Sequence, residues 1–425
     1  MYRYSIEGTN NIDGVVKISG SKNAALPLLV ASLLTDEPIV LHNVPDLVDV
    51  HVLINILSPL GKSVDFKNNT TVVISKNEKS EEAPYKLVKK MRGSIIVLGP
   101  LLAKRGHCRV SYPGGCAFGP RPIDLHLKGM EALGAKINIT EGYIEASVDG
   151  SLVGADIDLS GKFGPTVLGT DNVMMAAVLA KGTTIIRNAA MEPECTNLAQ
   201  LLVAMGAKIE GIGTSTLTIT GVEKLNAVEF EIIPDRIEAG TFLALAASVR
   251  GRLKLENTNP NHLTSVLELL RKIGCDINTT DTTIEINAKD KDLKPFDIET
   301  LPYPHFPTDL QAIFTTLACT INGKSTITER IYPDRFNNVP ELIRMGAKID
   351  MNEHSITING GVKLSGAEVQ ASDLRAGAGL VIAGACASGV TKVHRIYHIE
   401  RGYENFEEKL SNINVHTVKE QDDIL

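Results

Sequence analysis

Apolar and polar residues along this chain fall into two recurring patterns. The first is a short apolar stretch that ends in glycine and then alternates: LSPLGKSVDF, MEALGAKINI, LVAMGAKIEG, LRKIGCDINT and LIRMGAKIDM. Its glycines, Gly61, Gly134, Gly206, Gly274 and Gly346, recur at intervals of 73, 72, 68 and 72 residues. Each stands where a helix closing in the left-handed conformation places a residue without a Cβ. The alternation that follows, as in KINITEGYIEASV, predicts a hairpin that turns at its polar residues. EEKLSNINVHTV near the C-terminus reads as a sixth, degraded copy in which the glycine is missing.

The second pattern runs in phase with the first. Apolar helices are opened by polar or charged residues in SGSKNAALPLLVASLL, MRGSIIVLGPLLA, GTDNVMMAAVLA, DRIEAGTFLALAASV, FPTDLQAIFTTLA and SDLRAGAGLVIAGA. Their openings, Lys22, Arg92, Thr170, Ile237, Asp309 and Asp373, step by 70, 78, 67, 72 and 64 residues. These helices are hydrophobic nearly all round, which suits burial at the centre of a domain. Helices alternating with strands in six such units predict an α/β protein. Three units per domain make two alike domains, with the crossover near IIPDRIEAG. Residues 22–231 form the first, and 1–21 with 232–425 form the second.

Composition narrows the partners. A chain of 425 residues with 43% hydrophobic content supports two cores. Its 43 basic and 50 acidic residues, net charge −7, are spread without long runs, which argues against nucleic acid or an anionic membrane as a bulk partner. No stretch approaches the ~18 apolar residues of a membrane span, and the N-terminus lacks a signal-peptide core, so a cytoplasmic protein is expected. The six cysteines are scattered without a CxxC pair, so neither a disulfide framework nor a zinc site is expected.

If the buried helices run roughly parallel, their N-termini gather, and unsatisfied N–H groups make that end attractive to phosphate. The openings carry Lys22 with Asn23, Arg92, Arg236 with Glu238, Asp309, and Asp373 with Arg375. Each residue alone is equally a helix cap or an ion-pair partner; six in phase favour a cleft for ligands bearing several phosphates or carboxylates. The run SYPGGCAFGPRPIDLH, residues 111–126, differs from all of these. Its Gly and Pro residues predict a surface loop over 112–122. Cys116 at the tip, five residues from Arg121, is placed for use as an acid, a nucleophile or a redox group, because a nearby cation favours thiolate.

The ordered set SGSKNAALP, PGGCAFGPRPIDLH, IIPDRIEAGT, FPTDLQA, DRF, SDLRAGA and ERGYE strongly resembles the UDP-N-acetylglucosamine 1-carboxyvinyltransferase family of enolpyruvyl transferases, over essentially the whole chain. The resemblance implies a two-domain inside-out α/β barrel built from six repeats. It also implies transfer of the enolpyruvyl group of phosphoenolpyruvate to the 3′-hydroxyl of UDP-N-acetylglucosamine, with release of phosphate, at the start of peptidoglycan synthesis. Carried over by motif, Cys116 protonates C3 of phosphoenolpyruvate and Asp309 is the base at the hydroxyl. Lys22, Arg121 and Arg401 clamp phosphoenolpyruvate. Asn23 and Arg92 serve sugar and phosphate contacts, and Arg121, Pro122, Ile123, Asp124 and Leu125 serve the uridine diphosphate. Thr166, Val167 and Ile331 join the substrate-binding set, and Arg335, Asp373 and Arg375 support closure and the site. No metal or organic cofactor is implied.

The chain departs from the family pattern in places. TVLGT places Leu168 where the family usually has glycine, DRFNNVPE carries Asn337 and Asn338, and residues 191–194 read MEPE where a basic residue often precedes EPE. Leu168 is expected to shift the uridine pocket or lower affinity. Two alternatives stand beside this reading. The resemblance implies no loop cysteine in the sister transferase acting on shikimate 3-phosphate, and a weak paralogue would bind the nucleotide sugar without turning it over.

Overall fold

The computed structural model describes residues 1–76, 80, 82–83, 85–89, 91–112, 123–333 and 335–422. The chain divides into two compact units, Gly20–Ile233 and Met1–Ser19 with Pro234–Leu425. Each has its own apolar core. Among the described residues there are six four-stranded sheets and one two-stranded ribbon.

All six larger sheets follow one plan: a parallel pair at one side, continued by two antiparallel pairs. In the first unit, Val228–Glu231 runs parallel to Ile39–His42, which pairs antiparallel with Thr70–Ser75 and through it with Lys62–Lys67. In the second, Asp297–Thr300 runs parallel to Gly323–Glu329, followed by Ser355–Gly360 and Ile349–Asn352. The strands of the chain's start, Tyr2–Glu7 and Asp13–Lys17, both belong to sheets of the second unit.

The glycine stops behave as the pattern predicts. Gly61, Gly134, Gly206, Gly274 and Gly346 all have positive φ, between 89° and 116°. After four of them the next amide reaches back to the carbonyl five residues earlier, as in Ala135 N to Met130 O at 3.0 Å and Ala347 N to Leu342 O at 3.0 Å, the bond that closes a Schellman motif. The sixth copy uses Asn414 instead, at φ 67°, and Val415 N still reaches Leu410 O at 3.0 Å. Asparagine is the side chain that tolerates this conformation best after glycine.

The in-phase helices are the buried ones. Every residue of Arg236–Val249 is buried, and it packs on Gln311–Cys319 and Leu374–Cys386, which also pack on each other. Close approach is permitted by Gly240, where a Cβ would lie 2.5 Å from Leu310 Cδ1. In the first unit, Leu98–Arg105 packs on Val167–Ala177, which carries the fully buried pair Met174 and Met175. Two helix starts differ from the sequence expectation. Thr166, not Thr170, opens Val167–Ala177, because its hydroxyl accepts from Gly169 N at 3.2 Å, and Asp235 caps Arg236–Val249 through Ile237 N and Glu238 N. No helix among the described residues is long and apolar enough to cross a membrane.

Candidate functional site

In the unit Gly20–Ile233, Lys22 is the first residue of Lys22–Ala31, behind the cap Ser21, whose hydroxyl accepts from Ala24 N at 3.3 Å. Its Nζ lies 3.4 Å from Oδ2 of Asp49, a buried carboxylate in the first turn of Val48–Leu57. Asn23 follows on the same turn. Arg92 opens the 3-10 segment Arg92–Val97. Ile123 is buried immediately before Asp124–Ala132, with Asp124 exposed in its first turn and Leu125 packed on the core. Thr166 and Val167 begin the third opening, and Leu168 packs partly against the core of the unit.

A residue that the sequence reading missed holds three of these elements together. Asn172, fully buried, accepts from Gly99 N at 2.7 Å and donates to Ile95 O at 3.1 Å. Its amide nitrogen also lies 3.0 Å from Nδ1 of His126. Because its oxygen is already committed to an N–H, its nitrogen donates, so His126 Nδ1 accepts and the imidazole hydrogen sits on Nε2. Burial, then the nearby Arg92 charge, lowers the His126 pKa to about 4. A neutral, orientation-locked imidazole therefore ties the Asp124 helix to the Arg92 and Thr166 openings.

In the unit of Met1–Ser19 and Pro234–Leu425, Asp309 lies in the turn Thr308–Leu310 that leads into Gln311–Cys319. Two arginines grip it: Arg335 Nη2 at 2.7 Å from Oδ1 and Arg375 Nη2 at 3.2 Å from Oδ2. Both guanidiniums are at least 94% buried at the side chain, while Asp309 is 26% exposed. Asp373 caps Leu374–Cys386, accepting from Arg375 N at 2.9 Å and Ala376 N at 3.0 Å. Burial works against the charge on Arg375, but Tyr403, Asp309 and Asp235 outweigh it and the guanidinium is held above its ordinary range. Arg335 behaves alike: burial is outweighed by Asp309, Asp373 and Glu329. Nε and Nη1 of Arg375 are buried without a hydrogen-bond partner among the described residues, and its Cζ stands 5.4 Å from the Tyr403 ring centroid.

Ile331 donates its amide to Glu329 at 2.8 Å. Arg401, half-buried after the turn Ile396–His398, adds to burial in holding His398 below its usual range. Arg236 stands 5.5 Å above the Tyr303 ring. Cys116, Arg121 and Pro122 lie outside the described residues. The other five cysteines are free thiols, and burial pushes Cys108, Cys275, Cys319 and Cys386 up to about 12. Those values make them poor nucleophiles.

Glu329 and Asp49, buried carboxylates beside predicted site residues, were also missed. The available signal was their position. Ser325, Ile327 and Glu329 form the inward row of Gly323–Glu329, where the alternation calls for an apolar residue.

The sequence family described as EPSP synthase (3-phosphoshikimate 1-carboxyvinyltransferase) matches residues 6–410. A UDP-N-acetylglucosamine 1-carboxyvinyltransferase of Shewanella amazonensis is 51% identical over 413 residues, covering 97% of this chain and 98% of its own. One of Chlorobaculum parvum is 50% identical over 423 residues, 99% of both chains. Among solved structures, the enolpyruvyl transferase NikO from Streptomyces tendae superposes with a TM-score of 0.89 at 23% identity, covering 98% of each chain. EPSP synthase from Acinetobacter baumannii does so at 0.78 and 18%, covering 99% of this chain and all of its own. These two likenesses speak to the α/β fold; the relatives near 50% identity speak to the branch. The chain belongs to the enolpyruvyl transferases, within the UDP-N-acetylglucosamine 1-carboxyvinyltransferase family.

Proposed function

We propose that this enzyme moves the enolpyruvyl group of phosphoenolpyruvate to the 3′-hydroxyl of UDP-N-acetylglucosamine in the cytoplasm, releasing phosphate as the first step of peptidoglycan synthesis. In the addition step C3 of phosphoenolpyruvate takes a proton, and the sugar oxygen, losing its own, bonds to C2. In the elimination step C3 returns a proton, the C2–O bond to phosphate breaks, and a vinyl ether remains. Cys116 supplies the proton to C3 and Asp309 removes the one on the hydroxyl. Lys22, Arg121 and Arg401 take the charge of phosphoenolpyruvate. Asn23, Arg92, Pro122, Ile123, Asp124, Leu125, Thr166, Val167 and Ile331 bind the nucleotide sugar, with Arg335 and Arg375 holding Asp309 and Asp373 capping the helix that carries Arg375. The chemistry calls for no metal or organic cofactor. The shared plan of the six sheets supports a six-repeat inside-out barrel, with domains of 22–231 and of 1–21 plus 232–425.

The observation that carries the reading, beyond kinship, is Asp309: a carboxylate partly open to solvent, at the start of a buried helix, between two buried arginines. Such a group is positioned, charged and reachable. The test is acceptor choice. Incubation with phosphoenolpyruvate and either UDP-N-acetylglucosamine or shikimate 3-phosphate, followed by NMR of the products, is expected to give a vinyl ether on the nucleotide sugar alone. Product on shikimate 3-phosphate, or unmodified sugar despite measurable binding, would overturn it.

A further inference from the structure

Glu329 is fully buried at the end of Gly323–Glu329, and its carboxylate collects four hydrogen bonds. Oε1 accepts from Thr300 Oγ1 at 2.6 Å, Ile331 N at 2.8 Å and Tyr332 N at 2.9 Å. Oε2 accepts from Thr308 Oγ1 at 2.9 Å. Both hydroxyls are thereby given a direction. With their protons turned to Glu329, they offer lone pairs elsewhere: Thr300 to Arg330 N at 3.0 Å, and Thr308 to Arg335 Nη1 at 3.0 Å. Arg335 then reaches Asp309 with its other terminal nitrogen at 2.7 Å.

A buried carboxylate with no ion pair among the described residues is costly unless its acceptors are filled. Here the carboxylate's bonds among the described residues lead toward Asp309 and the Ile331 turn. Thr308 is the residue immediately before Asp309, so through this one hydroxyl the carboxylate bears on that turn and on Arg335, whose guanidinium also feels its charge.

We infer that Glu329 is a positioning residue for catalysis: through Thr308 and Arg335 it sets the place and orientation of Asp309, and through its bonds to Ile331 and Tyr332 it shapes the segment beside it. The inference rests on Asp309 acting as the base proposed above. Replacing Glu329 by Gln would put an amide N–H against the Thr308 hydroxyl, reversing the sense of that bond and removing a charge that Arg335 feels. Displacing a reacting group by a fraction of an ångström to an ångström slows turnover by roughly ten- to a hundredfold.

The experiment measures kcat, KM for both substrates, the pH dependence of kcat and the melting temperature in wild type, Glu329→Gln, Thr308→Val and Thr308→Ser. Wild-type turnover of the nucleotide sugar checks the underlying reading first; its absence would sink that reading, and this inference with it, before any variant is compared. With the wild type active, Thr308→Val is expected to melt somewhat lower, because Glu329 Oε2 and Arg335 Nη1 each lose a partner, and, with KM nearly kept, to lose about tenfold or more in kcat and to shift the pH dependence of kcat. Thr308→Ser, which keeps the hydroxyl, is expected to restore both. Glu329→Gln in the Thr308→Val background is expected to cost less than in the wild type, since one path is already cut. Wild-type kcat and pH profile in Thr308→Val, or equal losses in Val and Ser variants, would overturn the inference, even if Glu329→Gln failed to fold.

Discussion

Asp171→Asn offers a test that needs no substrate. Asp171 sits in the second turn of Val167–Ala177, 1% exposed, and neither carboxyl oxygen has a hydrogen-bond partner among the described residues. The Cys195 thiol is near but is a weak donor, and its sulfur is aimed at Val167 O, 3.9 Å away. Burial is the main cause that raises its pKa from 3.8 to about 7, with Glu192 and Glu194 adding to it and Cys195 opposing. Between those values the folded state keeps a proton that the unfolded chain has released, so stability falls as pH rises from 4 to 7 and levels off above. At ~1.4 kcal/mol per pH unit, the cost at pH 8 is at most about 4 kcal/mol. His126 works the other way: with its pKa near 4 when folded and 6.5 when unfolded, it adds stability as pH rises through that interval. The two slopes oppose each other in the wild type. Asparagine does not titrate, so the variant should gain on the wild type steadily from pH 4 to 7, about half of the gain falling between pH 5 and 7. Denaturant unfolding of both proteins at pH 5, 6, 7 and 8 reads this directly. A stability difference that stays constant across that range would show that Asp171 is not a neutral buried acid and would refute the reasoning.

Three further outcomes bear on the site. Asp309→Asn should keep nucleotide-sugar binding by calorimetry while turnover falls at least a hundredfold, and lost binding with retained turnover per bound complex would reverse the role given to it. The epoxide fosfomycin should add covalently to Cys116, read as a mass increase on the peptide that contains it; an unmodified peptide together with no competition against phosphoenolpyruvate would contradict the thiol's role. Leu168→Gly should tighten nucleotide-sugar binding while lowering the melting temperature, since glycine in a helix costs ~1 kcal/mol and the side chain leaves its packing on the core; weaker binding would show that the leucine is part of the pocket.

The parts of this molecule that could be read from the chain are those where one residue type is physically required. A left-handed helix stop excludes most side chains, so five glycines marked five helix ends, and the sixth was seen only as a loss because Asn414 fills the same conformation. Helices apolar on every face could be recognised as buried from composition alone. Caps were harder: Thr166 and Thr170 both suit a helix start, and Thr170 instead accepts from Ala190 N and donates to Thr166 O. Buried polar residues were the least legible. Asn172, Asp49 and Glu329 owe their meaning to partners from 21 to 77 positions away in most of their bonds, and a single sequence records none of those pairings. Arg335 and Arg375 were named from motifs, but their joint grip on Asp309 appears only when the turns are folded together.

The central claim is that the chain joins phosphoenolpyruvate to a nucleotide sugar by acid–base chemistry at a loop thiol and a helix-start carboxylate. Phosphate release from phosphoenolpyruvate, followed with and without UDP-N-acetylglucosamine in the wild type and in Cys116→Ala, tests it most directly. Sugar-dependent release that disappears in the variant is the predicted result. No release by the wild type in the presence of bound sugar, or full release by Cys116→Ala, would contradict it.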